Sequence, residues 1–339
     1  MTLKKDFSFK IFIIYILIFL VSSFLSIYFG STDINIFSSN LIQTNNDLYL
    51  KILELRMNGL IQAAIIGAIL ALCGYILQKL LRNPLADPFI LGISSGGSCF
   101  ASLFFIFNSL PIISSLPLTI LFPIQSIFAF IGCMFSFIIL ILARKNIKNL
   151  NDDYIFPVIG IIINSFFSSI LMLIFSLAKP EQLSEIHNFL MGSLQPISIY
   201  PLLFIVTLSI YPIYYILKKS KFYDYMLFGD DFAKSMGINP VKLRNNSILM
   251  ICILISLAVS TSGIIAFIGL IIPHIIRKIH RFSSYFEIII CMILGAIVLV
   301  NADTLSRSLF SPAQLSVGIF TAILGAPMLS FILLNRHKI

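Results

Sequence analysis

The feature that most constrains this chain is the recurrence, from end to end, of long runs without a charged side chain. Stretches such as Ile11 to Leu20 and Ile248 to Ala258 are apolar around the whole circumference that a helix would present. Hydrocarbon offers no partner for free backbone N–H and C=O groups, so a chain that crosses it must form helices or a closed barrel. Barrel strands alternate apolar and polar residues over about ten positions, and these runs do not. The expectation is an all-α integral membrane protein. With 58% hydrophobic and 11% charged residues, there is too little charge to coat water-soluble domains. Residues 1–339 therefore read as one continuous transmembrane domain with no separate soluble unit.

Charges, prolines and polar clusters bound ten spans: Ile11 to Phe29, Leu60 to Leu80, Gly92 to Asn108, Phe122 to Ala143, Ile155 to Leu177, Ile199 to Leu217, Leu243 to Val259, Ile264 to Ile276, Phe286 to Val300 and Val317 to Leu334. The first follows Lys4, Lys5 and Lys10 like a signal peptide but has no small-x-small cleavage site, so a retained helix is expected. If the N-terminus is cytoplasmic, 19 Lys and Arg fall in inside segments and only Lys51, Arg56, Lys179 and Arg307 outside. That asymmetry sets both termini inside. The net charge of +9 then reports topology and contact with membrane lipid headgroups, not nucleic acid. Ile264 to Ile276 is short for a ~30 Å hydrocarbon core and must sit among other helices. Small residues at Gly67, Ala71 and Gly74, at Gly92 and Gly96, and at Gly318, Ala322 and Gly325 suit close helix packing. Pro327 predicts a kink in the last span.

Little in the sequence looks catalytic. The five cysteines lie in or beside apolar runs with no CxxC spacing, so buried reduced thiols are expected. His274, after Pro273, has no second metal ligand nearby in sequence, and Asp303 reads as the cap of a short outer helix. No metal site and no cofactor is expected. The carboxylates lie at span ends or in loops, so no buried proton relay is visible. Nor is there a GxxxxGK[ST] loop for ATP phosphates. Any ATP-driven motor must be a separate subunit. The longest inside loop, Lys218 to Arg244, contains Phe228-Gly-Asp-Asp-Phe-Ala-Lys-Ser-Met-Gly-Ile, which predicts a short amphipathic helix with Asp230 as N-cap; an ordinary solvated loop is the alternative.

Several strings, in order over about residues 50–335, resemble the permeases of ABC importers for iron siderophores, haem and cobalamin. They are Asn83-Pro-Leu-Ala-Asp-Pro-Phe-Ile-Leu-Gly-Ile-Ser-Ser-Gly96, Phe228 to Gly237, Gly263 to Arg277, Asn301 to Arg307 and Gln314 to Pro327. The resemblance implies a bundle of about ten helices with short coupling helices in a cytoplasmic loop. Its partners would be ATP-binding cassette ATPase subunits, a periplasmic or lipoprotein substrate-binding protein and a second permease subunit, in a bacterial inner membrane. It further implies a cytoplasmic gate at Asn83 and Leu85, where Asn83 and Asp87 each precede a proline and would otherwise simply fix a helix cap and turn. Asp152, Asp153 and Tyr154 lie near a second constriction of relatives. The ATPase would seat on Gly229, Asp230, Asp231, Ala233, Met236 and Gly237.

Arg56 and Arg307 match outer positions at which relatives offer arginines to glutamates of the binding protein, a task that suits a planar guanidinium. The family string Arg-x-Pro-Arg reads Arg56-Met-Asn-Gly59 here, so the second arginine is missing. Asn164, Ser165 and Ser168 are expected to line a neutral pathway, with interhelical hydrogen bonding as the other use of such groups. An ion-coupled secondary transporter would need intramembrane charges or broken helices that hold ions, and an intramembrane enzyme a convergent catalytic set; neither is visible.

Overall fold

The structure, a computed structural model, describes residues 2–30, 46–107, 123–147, 152–279, 283–311 and 314–334. These form α1 (Thr2–Tyr28), α2 (Asn46–Leu80), a 3-10 turn (Pro88–Leu91), α3 (Ile93–Phe107), α4 (Ile124–Asn146), α5 (Asp152–Leu177), α6 (Pro180–Leu190) and α7 (Ile199–Lys218). After them come α8 (Ser220–Leu227), α9 (Asp230–Ser235), α10 (Pro240–Ser262), α11 (Ile268–Ile279), α12 (Ser284–Ser308) and α13 (Val317–Leu334). Seven of these, α1, α2, α4, α5, α7, α10 and α12, are long and apolar enough to cross a membrane; α3 and α13 are apolar over shorter stretches. Each expected span falls on a helix, although the boundaries at Asn108 and Phe122 lie outside the described residues. So do Lys148, Arg281, Arg336 and Lys338 of the charge count.

α2, α10 and α12 make the centre and are buried along most of their length, while α1 is bare over most of its surface. Glycine explains how closely the central helices approach. A methyl on Gly67 would lie 2.3 Å from the Gly295 carbonyl oxygen, and one on Gly295 would lie 2.3 Å from that of Gly67, so α2 and α12 cross backbone on backbone. Two turns further, a methyl on Gly74 would strike the Gly269 carbonyl oxygen of α11. The small-residue stripe of α2 thus has two partners. All five cysteines are free and buried.

Three elements differ from the sequence reading. α2 begins fourteen residues before Leu60, because Lys51, Glu54 and Arg56 continue the helix instead of ending the span. The expected helix from Ile264 starts only at Ile268: Gly263 and Phe267 take positive φ of 67° and 72°, which breaks the chain between α10 and α11. That irregular stretch is tied by backbone bonds, Ser193 N–H to the Ser262 oxygen (2.9 Å) and Ile264 N–H to the Phe189 oxygen (3.4 Å), as a nonhelical segment among helices requires. Finally, α6 is an extra helix. Pro180 in its first turn and the Lys179 N–H donated to Gln182 Oε1 (3.0 Å) begin it, while its modest hydropathy kept it out of a span-based reading.

Candidate gate and coupling site

The Asn83 turn is built by the way α2 ends. The Asn83 N–H donates to the Gln78 oxygen (3.2 Å) and the Arg82 N–H to the Lys79 oxygen (3.4 Å), the paired bonds of a Schellman closure. The left-handed position of that closure usually holds glycine; here it is Arg82, with φ 47°. Asn83 is exposed, and its Oδ1 accepts the Leu85 N–H at 3.0 Å, locking the turn that Pro84 requires; Leu85 is half-buried. Asp87, itself buried, accepts the Phe89 N–H at 2.9 Å and caps the 3-10 turn, which Gly92 ends in the left-handed conformation. Burial raises the Asp87 carboxyl to about 6, against a smaller pull downward from the Phe89 N–H. The turn is seated on α5: a methyl on Gly160 would lie 1.9 Å from the Ile90 oxygen, and Asn164 Nδ2 donates to the Phe89 oxygen at 3.3 Å.

The loop from Lys218 to Arg244 folds into short helices, α8 and α9. Gly229, at φ 107°, is the N-cap of α9, and Asp230 is its first helical residue, not the cap that the sequence suggested. The reason is charge: the Asp230 carboxylate is drawn to fully buried Arg244 (2.9 Å) and to Arg82 (3.4 Å). Asp231 points to solvent and pairs with Lys234 at 2.9 Å, whose hydrogen bond and charge hold its carboxyl below the ordinary pKa of a carboxylate. Ala233 is buried, whereas Phe228 (74% exposed) and Met236 (52%) project outward. Gly237 closes α9 with the same Schellman pair as α2, Gly237 N–H to Lys234 (2.9 Å) and Ile238 N–H to Ala233 (3.0 Å), and here the left-handed residue is a glycine.

A second cluster, which sequence reasoning missed, lies beside this one. Lys79, buried in the last turn of α2, pairs with Asp224 of α8 at 2.7 Å and lies 3.7 Å from Glu287 of α12. Ser284 bonds both Lys79 and Asp224, and the Tyr75 hydroxyl bonds Glu287. The sequence offered one hint: Lys79 and Arg82 are one turn apart at the end of the span that leads into Asn83. Their partners lie some 150 to 200 residues away in sequence, so spacing could not reveal them.

At the opposite end of the bundle the arginines face inward. Arg56 is 5% exposed and donates to the carbonyl oxygens of Ile27 (2.8 Å) and Tyr28 (3.0 Å) at the end of α1. Arg307 is 6% exposed, pairs with Asp303 at 2.5 Å and donates to Ser26 at 3.1 Å. Asp303 therefore lies within α12 as the buried partner of Arg307, four residues away on the same face, and caps no helix. With Asn301 Nδ2 on Ser22 Oγ (2.9 Å), these contacts help fasten the largely exposed α1 to the bundle.

On α5, Ser165 and Ser168 are exposed among Ile161, Ile162 and Phe166, while Asn164, one turn before Ser168, is half-buried and its side chain bonds the Phe89 carbonyl. Ser165 Oγ bonds back to Ile161 (3.0 Å). Pro327 lies inside α13. Half-buried His274 lies in α11, and among the described residues no three His, Cys, Asp or Glu side chains are grouped to hold a metal ion.

Residues 17–335 match the model of the FecCD transport family. The hemin transport system permease protein HmuU of Yersinia pestis is 33% identical over 87% of this chain and 86% of its own length. The vitamin B12 import system permease protein BtuC of Vibrio parahaemolyticus is 31% identical over 84% and 83%. Among solved structures, a transporter assigned to the metal-chelate ABC type, in an inward-facing conformation, superposes with a TM-score of 0.80 at 26% identity, over 97% of this chain and 99% of that one. Together with the helical membrane bundle and the matching strings at Asn83 to Gly96 and Phe228 to Gly237, these likenesses place the chain in the FecCD transport family, as a multi-pass membrane permease of ABC importers.

Proposed function

We propose that the chain, acting as one permease unit over its whole length, carries a ferric siderophore, or a haem or cobalamin, into a bacterial cytoplasm with energy from ATP hydrolysed by a separate ATPase subunit. The observation that carries this reading is the α8–α9 pair. It presents Phe228 and Met236 to solvent at the end of the bundle where the Asn83 turn lies, as a surface awaiting a partner would. Both termini are cytoplasmic in this reading, and the ATPase seats on Gly229 to Gly237.

Two such subunits enclose the pathway. The exposed face of α5, with Ser165 and Ser168 and no charged side chain between Ile155 and Leu177, turns toward it, and Asn164 holds the Phe89 carbonyl behind that face. A large chelate then passes neutral groups that bind it weakly, and Asn83 with Leu85 closes the exit. A substrate-binding protein docks at the opposite end. Arg56 and Arg307 shape that surface by holding α1, since both guanidiniums already have partners.

The test is reconstitution into vesicles with the ATPase and binding protein encoded beside this permease. Chelate should accumulate only when ATP is supplied on the ATPase side. Accumulation by the chain alone, driven by a proton or sodium gradient, would overturn the reading in favour of ion coupling.

A further inference from the structure

The two short helices are both tied to one turn of α2, in addition to the Ser284 contact that holds α8 to α12 and the Arg244 pair that holds α9 to α10. Lys79 holds α8 through Asp224 at 2.7 Å, and Arg82 reaches α9 through Asp230 at 3.4 Å. The next residue is Asn83, the first of the gate turn. An ion pair of which each partner is about 30% exposed contributes little to stability, so stability does not explain the presence of Arg82. Its backbone makes the point sharper. Arg82 occupies the left-handed position of a Schellman closure, at φ 47°, where a Cβ is unfavourable and glycine is the usual choice. The same closure in α9 uses Gly237. What arginine adds over glycine at this position is a side chain, and the described contact of that side chain is with the coupling helix.

Resting on the importer reading, we infer that Arg82 is a positioning residue that transmits displacement of α9 to the Asn83–Leu85 turn, with Lys79–Asp224 as a parallel tie from α8. When the ATPase moves α9, Asp230 draws Arg82, and the turn that begins at the next residue must follow. Buried Arg244 keeps Asp230 from swinging free, so the displacement is passed on and not absorbed. A contiguous chain of ion pairs of this kind is a physical route for coupling, and a double-mutant cycle measures it.

The experiment uses the complete importer in vesicles, with Arg82→Gly, Arg82→Lys and Asp230→Asn. Arg82→Gly relieves the backbone, so its melting temperature should equal or exceed that of the wild type, and ATP hydrolysis should stay within about twofold. Chelate carried per ATP should fall at least about fivefold, the low end of a typical coupling between sites. Arg82→Lys should recover most of it, and because Asp230 also pairs with Arg244, adding Asp230→Asn should lower the ratio by a smaller factor in Arg82→Gly than in the wild type. A wild-type ratio in Arg82→Gly would overturn the inference and leave the importer reading standing. Lowered melting with parallel losses of hydrolysis and uptake would also overturn it, in favour of a structural tie. A wild-type complex without ATP-dependent uptake would sink the importer reading itself, and the inference with it.

Discussion

Asp87 shows how a single side chain ties the Asn83 turn to solution conditions. An ordinary aspartate ionises near 3.8, and burial lifts this one to about 6. Between those values the unfolded chain has released the proton while the folded turn retains it, so stability falls as pH rises from about 4 to about 6 and then levels off. Asp87→Asn keeps an oxygen for the Phe89 N–H and removes the titration. The melting temperature of the detergent-solubilised variant should lose its slope across that window and exceed the wild type at neutral pH. A slope retained in full would assign the pH dependence to other groups. The residue scale also separates conformation from chemistry in one motif: Gly237 and Arg82 occupy the same left-handed site in two helix closures, and only Arg82 has a side chain with which to reach Asp230.

At the scale of elements, the bundle is set by which glycines face other backbones. Gly67 and Gly59 lie in the same helix, yet a methyl on Gly67 would meet the Gly295 carbonyl at 2.3 Å, while one on Gly59 would meet only Pro196 Cγ at 3.8 Å. Gly67→Ala should force α2 and α12 apart and cost about 1–3 kcal/mol, as overpacking does. Gly59→Ala should instead stabilise the helix by about 0.5–1 kcal/mol, the ordinary gain of alanine over glycine. Unfolding of the two variants in mixed detergent gives the comparison, and equal shifts would contradict the packing described. The same scale explains α1. Many of its apolar side chains, Leu17, Val21 and Phe24 among them, face outward, so Ser22, Ser26 and its terminal carbonyls meeting Asn301, Arg307 and Arg56 add to the apolar contacts of Ile11, Tyr15 and Phe19 in docking it.

For the whole molecule, the end of the bundle that bears α8 and α9 combines an ionic floor with an exposed apolar cap. Buried Lys79, Glu287 and Arg244, with partly exposed Asp224, form the floor. Phe228 and Met236, projecting beyond it, are surfaces that a partner subunit would bury. Phe228→Asp should leave insertion and folding intact, because 74% of the side chain is already in contact with solvent. Affinity for the ATPase should drop at least about thirtyfold, the ~2 kcal/mol of an apolar anchor. Copurification of permease and ATPase reads this out, and unaltered recovery of the pair would move the docking surface elsewhere.

The sequence by itself determined the helical membrane class and where the seven helices long and apolar enough to cross a membrane would lie, though not all of their ends, because hydrophobic runs and the chain's need to satisfy its own backbone are local properties. It also determined the turn at Asn83 and the short helices after Lys218, where proline, asparagine and glycine act within a few residues. Only the tertiary structure decided the partners. That Asp230 leaves the cap position for Arg244 and Arg82, that Asp303 belongs to Arg307, that Arg56 is occupied by α1, and that Lys79 gathers Asp224 and Glu287 all depend on helices brought together from distant segments. The break before Ile268 belongs with them. Its apolar side chains read as helix, while the close approach of Gly263 to the Phe189 carbonyl, 2.0 Å from where a Cβ would stand, settles a different backbone.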